Sequence, residues 1–333
     1  MIDPALPFID LHRHLDGSVR LQTILDLGRQ HNLDLPANDL ESLRPFVQIS
    51  EPTPDIMTFI AKFEWMIGVL VDYDACQRIA YENILDAKEE GINYIELRFS
   101  PLFMSEPHNL KLEGIVEAIS DGVSQGVTET GVQSNLIGIL SRHYGPKLAM
   151  QELDALLQHR DSLVALDLAG DEANFPGELF VDHFRLARDA GLNITVHAGE
   201  AAGSESIWQA IKGLGATRIG HAARLLDDPE LIDFARQNKI GIEANLSSNV
   251  QTSTVSAYAA HPAKQMLEEG LLVTINTDDP GISNIDLPNE FNVAAPKAGF
   301  SQAQASQLQE NALNLAFISE TEKSNLRKKA LAA

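Results

Sequence analysis

The 333-residue chain holds one cysteine, Cys76, so it can form neither an internal disulfide nor a multi-cysteine metal site. It has no run near the ~18 consecutive apolar residues that a membrane-spanning helix needs. Its first ten residues, "MIDPALPFID", show no basic stretch and no apolar core, so no secretory signal is expected and the cytoplasm is the expected compartment. Positive charge is scarce as well. The 25 Lys and Arg residues face 47 Asp and Glu, a net charge of −22. So acidic a chain repels phosphate backbones and anionic lipid, which argues against nucleic acid and membrane partners and favours a small neutral substrate. No G-x-G-x-x-G or P-loop follows any apolar run, which argues against dinucleotide and phosphate cradles. Internal repeats, low-complexity linkers and composition breaks are also missing, so one domain spanning 1–333 is expected.

What is present is the composition of a globular enzyme, 44% hydrophobic and 22% charged. Eight short apolar or β-branched runs read as strands: 8–12, 93–99, 134–140, 163–168, 193–197, 217–221, 240–246 and 272–277. Most are apolar on both faces, as parallel strands covered by helices are. Helix-length segments separate them. "SESIWQAIKGLG" places Ser204 or Ser206 near a cap, and "DDPELIDFARQN" places Pro229 in a first turn. The last two helices open with the capping boxes Ser301-x-x-Gln304 and Ser319-x-x-Glu322. Eight alternating units predict an α/β fold, a (β/α)8 TIM barrel with extra helices between strands one and two and at the C-terminus. The longest insertion, roughly 33–90, carries Pro-marked turns at "LRPF" and "EPTPD" and a long helix through "FIAKFEWMIGVL". Its Phe59, Phe63 and Trp65 read as helix packing, with a lid over the barrel mouth as the functional alternative.

In such a barrel the C-terminal strand ends share one face, where sites are built. Strand one ends in "FIDLHRHLDGS", with His12, His14 and Asp16 on alternate residues. Chance alone gives about 0.3 His-x-His pairs in a chain of this histidine content, so the spacing is weak evidence by itself. Three other ends add to it: "VHAGE" with His197 and Glu200, "TRIGH" with His221, and "NTDDPG" with Asp278 and Asp279. Residues i and i+2 of a strand share a face ~6.5–7 Å apart, within reach of one cation. A third histidine and a carboxylate from other strands would complete a His3Asp set that suits zinc with a water position open. His221 and Glu200 then stand available as the base and the acid that hydrolysis needs. Gly170, in "DLAGDE", ends strand four where a ligand can approach the backbone. Arg98, Arg142 and His143 also lie near strand ends and receive no role; a barrel-interior salt bridge involving Glu96 and Arg98 is an equal expectation.

The pieces "HRHLDGS", "DLAGDE", "VHAGE", "IGHA" and "NTDDPG", in this order, resemble the adenosine deaminase family of the amidohydrolase superfamily. The likeness extends through "FIAKFEW" and His261-Pro262 and covers essentially the whole chain. It implies hydrolysis of the 6-amino group of a purine nucleoside, adenosine or 2'-deoxyadenosine, with release of ammonia; free adenine or another 6-aminopurine is the alternative substrate. It implies one zinc ion on His12, His14, His197 and Asp278. Glu200 resembles the acid that protonates purine N1, and His221 the residue that orients or deprotonates the zinc-bound water. Asp279 would bond the attacking water and purine N7, Gly170 would offer its N–H to purine N3, and Asp16 would bond the ribose; His14 also borders the substrate. Ala222 stands where relatives usually carry glycine, and "EANLSSN" departs from their cysteine at the end of strand seven; both bear on pocket shape. A two-metal amidohydrolase needs a lysine at the end of strand four, which "LDLAGDE" does not supply. Cysteine-ligated deaminases need a Cys pair that the chain lacks. A non-catalytic zinc barrel remains as the reading outside enzymes.

Overall fold

Each of the eight runs becomes a parallel strand in the computed structural model, which describes residues 1–53 and 56–332. They are β1 (Ile9–His14), β2 (Tyr94–Phe99), β3 (Gln133–Ser141), β4 (Leu163–Ala169), β5 (Asn193–Ala198), β6 (Arg218–His221), β7 (Gly241–Ala244) and β8 (Leu272–Ile275). They pair in chain order, every pair parallel. Alternation along β2 shows how the barrel is filled. Ile95, Leu97 and Phe99 enter the large hydrophobic core, while Glu96 and Arg98 engage charged partners on other strands. Each buried aliphatic or aromatic side chain of that core contributes roughly 1.5–3 kcal/mol.

Backbone pairing closes the barrel at one residue, with side-chain bonds from Asn276 and Thr277 beside it. Beyond β8, Asp278 pairs with Arg13 as an isolated parallel bridge. Asp278 N–H donates to His12 C=O, and His14 N–H donates to Asp278 C=O, both at 2.8 Å. Asp278 holds a left-handed φ of 64°, a conformation Asp tolerates better than most residues.

Charged side chains fill the floor beneath the strand ends. Arg98 donates to Asp167 at 2.7 Å and to Glu243 at 2.8 Å, and Arg218 donates to Glu96 at 2.5 Å and to Glu243 at 2.6 Å. Glu96 and Arg98 thus both take part in salt bridges inside the barrel, as considered from sequence. Two residues apart on one strand, they stand in different layers of the barrel, and each finds its counter-charge on another strand.

Several local expectations change. Pro45 lies inside the helix Leu40–Val47 rather than in a turn; the helix is held at its start by the Asp39 side chain, which accepts from Ser42 N–H. "EPTPD" is described only as far as Thr53. The long helix over "FIAKFEWMIGVL" is broken into Ile56–Ile60, a 3₁₀ turn at Ala61–Phe63 and Glu64–Gly68. Gly203, not a serine, caps the helix Ser204–Trp208, which continues as a wide π turn over Gln209–Leu214. The cap of Pro229–Gln237 is Asp228, and both C-terminal capping boxes form. No helix among the described residues is long and apolar enough to cross a membrane.

Candidate metal centre and substrate cleft

The four strand ends singled out from sequence meet at one point. Ligand atoms of His12, His197, His221 and Asp278 all lie within 4.8 Å of one another, and all four residues are buried. His14 reaches the same point, with its Nε2 3.1 Å from His197 Nε2 and 3.4 Å from Asp278 Oδ1. His12 Nε2 is 3.1 Å from His197 Nε2 and 3.2 Å from Asp278 Oδ1. Four donors about 2.0–2.1 Å from a tetrahedral ion stand about 3.3 Å apart, and the separations of His12 and of His14 from His197 and Asp278, 3.1–3.4 Å, match that spacing. His221 sits one step farther, 3.8 Å from Asp278 Oδ2.

Protonation makes the same point chemically. Glu243 takes the N–H of His12 Nδ1 at 2.7 Å, and Asp167 takes that of His197 Nδ1 at 3.0 Å. A neutral imidazole has one N–H, so both Nε2 atoms turn bare lone pairs toward each other. Two lone pairs at 3.1 Å repel unless a cation lies between them. The donor set therefore fits a metal ion. Close approach is needed around it: a Cβ on Gly220 would come within 2.8 Å of His12 Cε1.

A cleft of about 690 Å³ opens from this cluster, lined among others by His14, Asp16, Gly170, Glu200, His221, Asp278 and Asp279. Every residue singled out from sequence thus lies at the cluster or on the cleft. Gly170 has φ 103°, and a Cβ there would come within 2.7 Å of His143 Nδ1. Asp16 is buried; its Oδ2 accepts from Ser100 N–H at 3.3 Å, while its Oδ1 has no partner. Asp279 Oδ1 is likewise buried and unpartnered. Phe59 and Phe63 pack in the core, as read from sequence, and also line the cleft. Their rings lie 6.4 Å apart in the core, Phe63 meets Phe103 at 5.5 Å, and all three line the cleft. Trp65 only packs against the core.

Burial separates the acids. It pushes Glu200 up to about 8, helped by the charges of Asp278 and Glu172, so this carboxyl holds its proton at neutral pH. Asp279 is pushed up by burial and by Asp278 beside it. Asp278 goes the other way, because His221 and His12 outweigh its burial. Burial lowers His221, which is neutral as a result. His221 and Ala222 both hold left-handed φ, 64° and 51°, a region glycine enters more readily than alanine.

Sequence reading missed the supports of the site. Asp167 and Glu243 orient the two imidazoles, and Glu172 orients Glu200. The Glu172 carboxylate accepts four consecutive backbone N–H groups, from Gly199, Glu200, Ala201 and Ala202, at 2.6–3.1 Å. For Asp167 and Glu243 the available signal was a carboxylate inside an apolar strand, which has to find a partner. Glu172→Gln is expected to lower stability by about 1.5–3 kcal/mol through weakened charge-assisted bonds, read in urea melts. Because Glu172 raises the pKa of Glu200, the same variant should move the alkaline fall of activity to lower pH. An unmoved limb would contradict this link.

Comparison with known proteins agrees with this geometry. The family model described as adenosine deaminase matches residues 7–333. The chain is 55% identical to the adenosine deaminase of Salmonella typhi over 333 residues, all of both chains. Among solved structures, the N6-mAMP deaminase of Arabidopsis superposes with a TM-score of 0.85 at 25% identity over 99% of each chain. An adenine deaminase from Arthrobacter aurescens shares the fold, with a TM-score of 0.91 at 24% identity over 98% of each chain. With two carboxylate-backed imidazoles, a protonated carboxyl and a full-length match, the chain belongs to the adenosine deaminase family.

Proposed function

We propose that this chain hydrolyses adenosine and 2'-deoxyadenosine to inosine and deoxyinosine with release of ammonia, a step of purine salvage in the cytoplasm, with residues 1–333 acting as one hydrolase barrel domain. The observation that carries the reading is one cleft bordered by a metal-fitting donor cluster and by a carboxyl, Glu200, that is protonated at neutral pH. Zinc suits three imidazole nitrogens and one carboxylate oxygen, from His12, His14, His197 and Asp278. Bound there, it would bring the pKa of a water molecule down to about 7.

The remaining steps belong to the protein. Glu200 donates its proton to purine N1, leaving C6 electron-poor. The water oxygen bonds to C6, one of its protons passes to the departing nitrogen, and the C6–N6 bond breaks to give ammonia. The other water proton restores Glu200, so the enzyme ends as it began. Asp279 and the Gly170 N–H hold the purine edge, and Asp16 the ribose. Asp16 Oδ1, which has no hydrogen-bond partner, supplies an acceptor for a ribose hydroxyl, and Asp279, whose carboxyl is pushed up by burial and by Asp278, can donate its proton to purine N7. Because the acid form of Glu200 is required, activity is expected to fall with rising pH through about 8, approaching tenfold per pH unit beyond it. A kcat/KM profile flat from pH 7 to 10 would remove that requirement.

Substrate choice follows from the lining. Asp16, Glu200, Asp278 and Asp279 border the cleft, and no Lys or Arg is among its lining residues. A 5'-phosphate finds no counter-charge there, so AMP is expected to be at least about 100-fold poorer than adenosine in kcat/KM. Ammonia release from adenosine, deoxyadenosine, adenine and AMP tests the reading, together with metal analysis expecting one zinc per chain. Failure of zinc-replete protein to turn over adenosine would overturn it. So would two metals per chain.

A further inference from the structure

His221 has two nitrogens, and its neighbours determine which one carries the proton. Two side-chain amides approach Nδ1: Asn249 Nδ2 at 2.9 Å and Asn245 Nδ2 at 3.3 Å. The two ends of an amide look alike, but here a backbone group fixes the orientation. Ala263 N–H donates to His261 Nδ1 at 3.1 Å, so that nitrogen bears no proton. The neutral ring of His261 then carries its proton on Nε2, which lies 3.1 Å from Asn249 Oδ1. Asn249 therefore turns its oxygen to His261 and its NH2 to His221. As an acceptor at Nδ1, neutral His221 keeps its proton on Nε2, the nitrogen facing Asp278 Oδ2 at 3.8 Å. His221, Asn245, Asn249 and His261 are all buried, so solvent offers no other partner.

We propose that Asn249 and His261 are positioning residues that hold His221 as its Nε2–H tautomer, so that it meets the attacking water as a hydrogen-bond donor and not as a base. The identity of that water rests on the deaminase reading; the tautomer rests on the hydrogen bonds alone. A bare Nε2 would require a proton on Nδ1, set against the NH2 of Asn249 in a dry pocket, at a cost of about 1–3 kcal/mol for the donor left unpaired. Glu200 Oε1 stands 3.5 Å from the same Nδ1, and the proton of its acid form is directed to purine N1 rather than to the imidazole. From Nε2, a fixed donor stabilises the negative charge that grows on the attacking oxygen.

The direct test is the NMR spectrum of zinc-loaded protein labelled with ¹⁵N-histidine, in which the two tautomers have distinct nitrogen shifts and proton couplings. The His221 signals, assigned by their loss in His221→Gln, are expected to show Nε2–H; Nδ1–H in the native protein would overturn the proposal whatever the turnover. The variants give an order that packing alone would reverse. Asn249→Ala leaves Asn245 as donor, so the tautomer should persist and kcat fall less than about fivefold. Asn249→Asp is isosteric but turns the donor into an acceptor. It should draw a proton to Nδ1 and lower kcat about 100-fold with KM within threefold and zinc retained. Asn249→Ala proving the more damaging of the two would overturn the proposal. Absence of turnover in the native protein would instead count against the deaminase reading and leave the tautomer measurement intact.

Discussion

Glu200→Gln is expected to lower kcat about 10³-fold while KM moves little and zinc stays at one per chain. The substitution keeps the shape and a hydrogen-bond donor for purine N1, but the amide cannot surrender a proton there. The size of the loss is that of a general acid whose task no neighbour can take over. Glu200 alone among the cleft acids combines a place beside His221, 3.5 Å away, with a proton held up to about pH 8. Asp278 is held ionised, and the rise of Asp279 depends on that charge beside it. Ammonia release and metal analysis on the same preparation decide the matter: activity within tenfold of native would exclude Glu200 as the acid, and loss of zinc would make it part of the metal centre.

Glu243→Gln is expected to cost about 3–5 kcal/mol of stability and to weaken zinc binding about 10–100-fold. This carboxylate is fully buried and accepts from His12 Nδ1, Arg98, Thr195 and Arg218 at 2.6–2.9 Å. A neutral amide leaves two guanidinium groups short of a counter-charge in a place water does not reach. Its NH2 also meets the N–H of His12 if the oxygen serves the arginines. His12 then has reason to shift its proton to Nε2, where it blocks the metal. Urea melts of zinc-free protein measure the first effect and competition with a chelator the second. A variant as stable as native, with native affinity, would show that the network beneath the site is dispensable.

The two variants mark the boundary of what one sequence discloses. Glu200 was legible because a barrel gathers its strand ends on one face, so a carboxyl three residues after His197 has few other places to go. The order of the strands was legible for the same reason, and so was the convergence of the strand ends that carry the histidines and Asp278. Glu243 was not, although it stands in plain view in "IGIEANL". Its importance lies in partners on β1, β2, β5 and β6, and the pairing of layers across a barrel depends on stagger that a single chain does not print. The same holds for the identity of the partner of Glu96, Arg218 on β6. Asn249 and His261 were harder still, because the direction of a hydrogen bond follows from a backbone N–H at Ala263 that no motif announces. Local breaks such as the 3₁₀ turn at Ala61–Phe63 escaped because the apolar spacing around it is that of a continuous helix.

The seam at Asp278 also orders events in time. During synthesis, His12 and His14 emerge first and His197 and His221 follow, yet the residue that joins β8 to β1 lies beyond all four. At a growth rate of ~5–20 residues per second the first strand waits on the order of tens of seconds for its last neighbour. Until then its edge is open, and the histidines have no carboxylate to gather around. A chain truncated before residue 278 would carry every imidazole of the centre and still have no ring of strands to hold them. Closing the barrel and completing the metal site are thus the same late event.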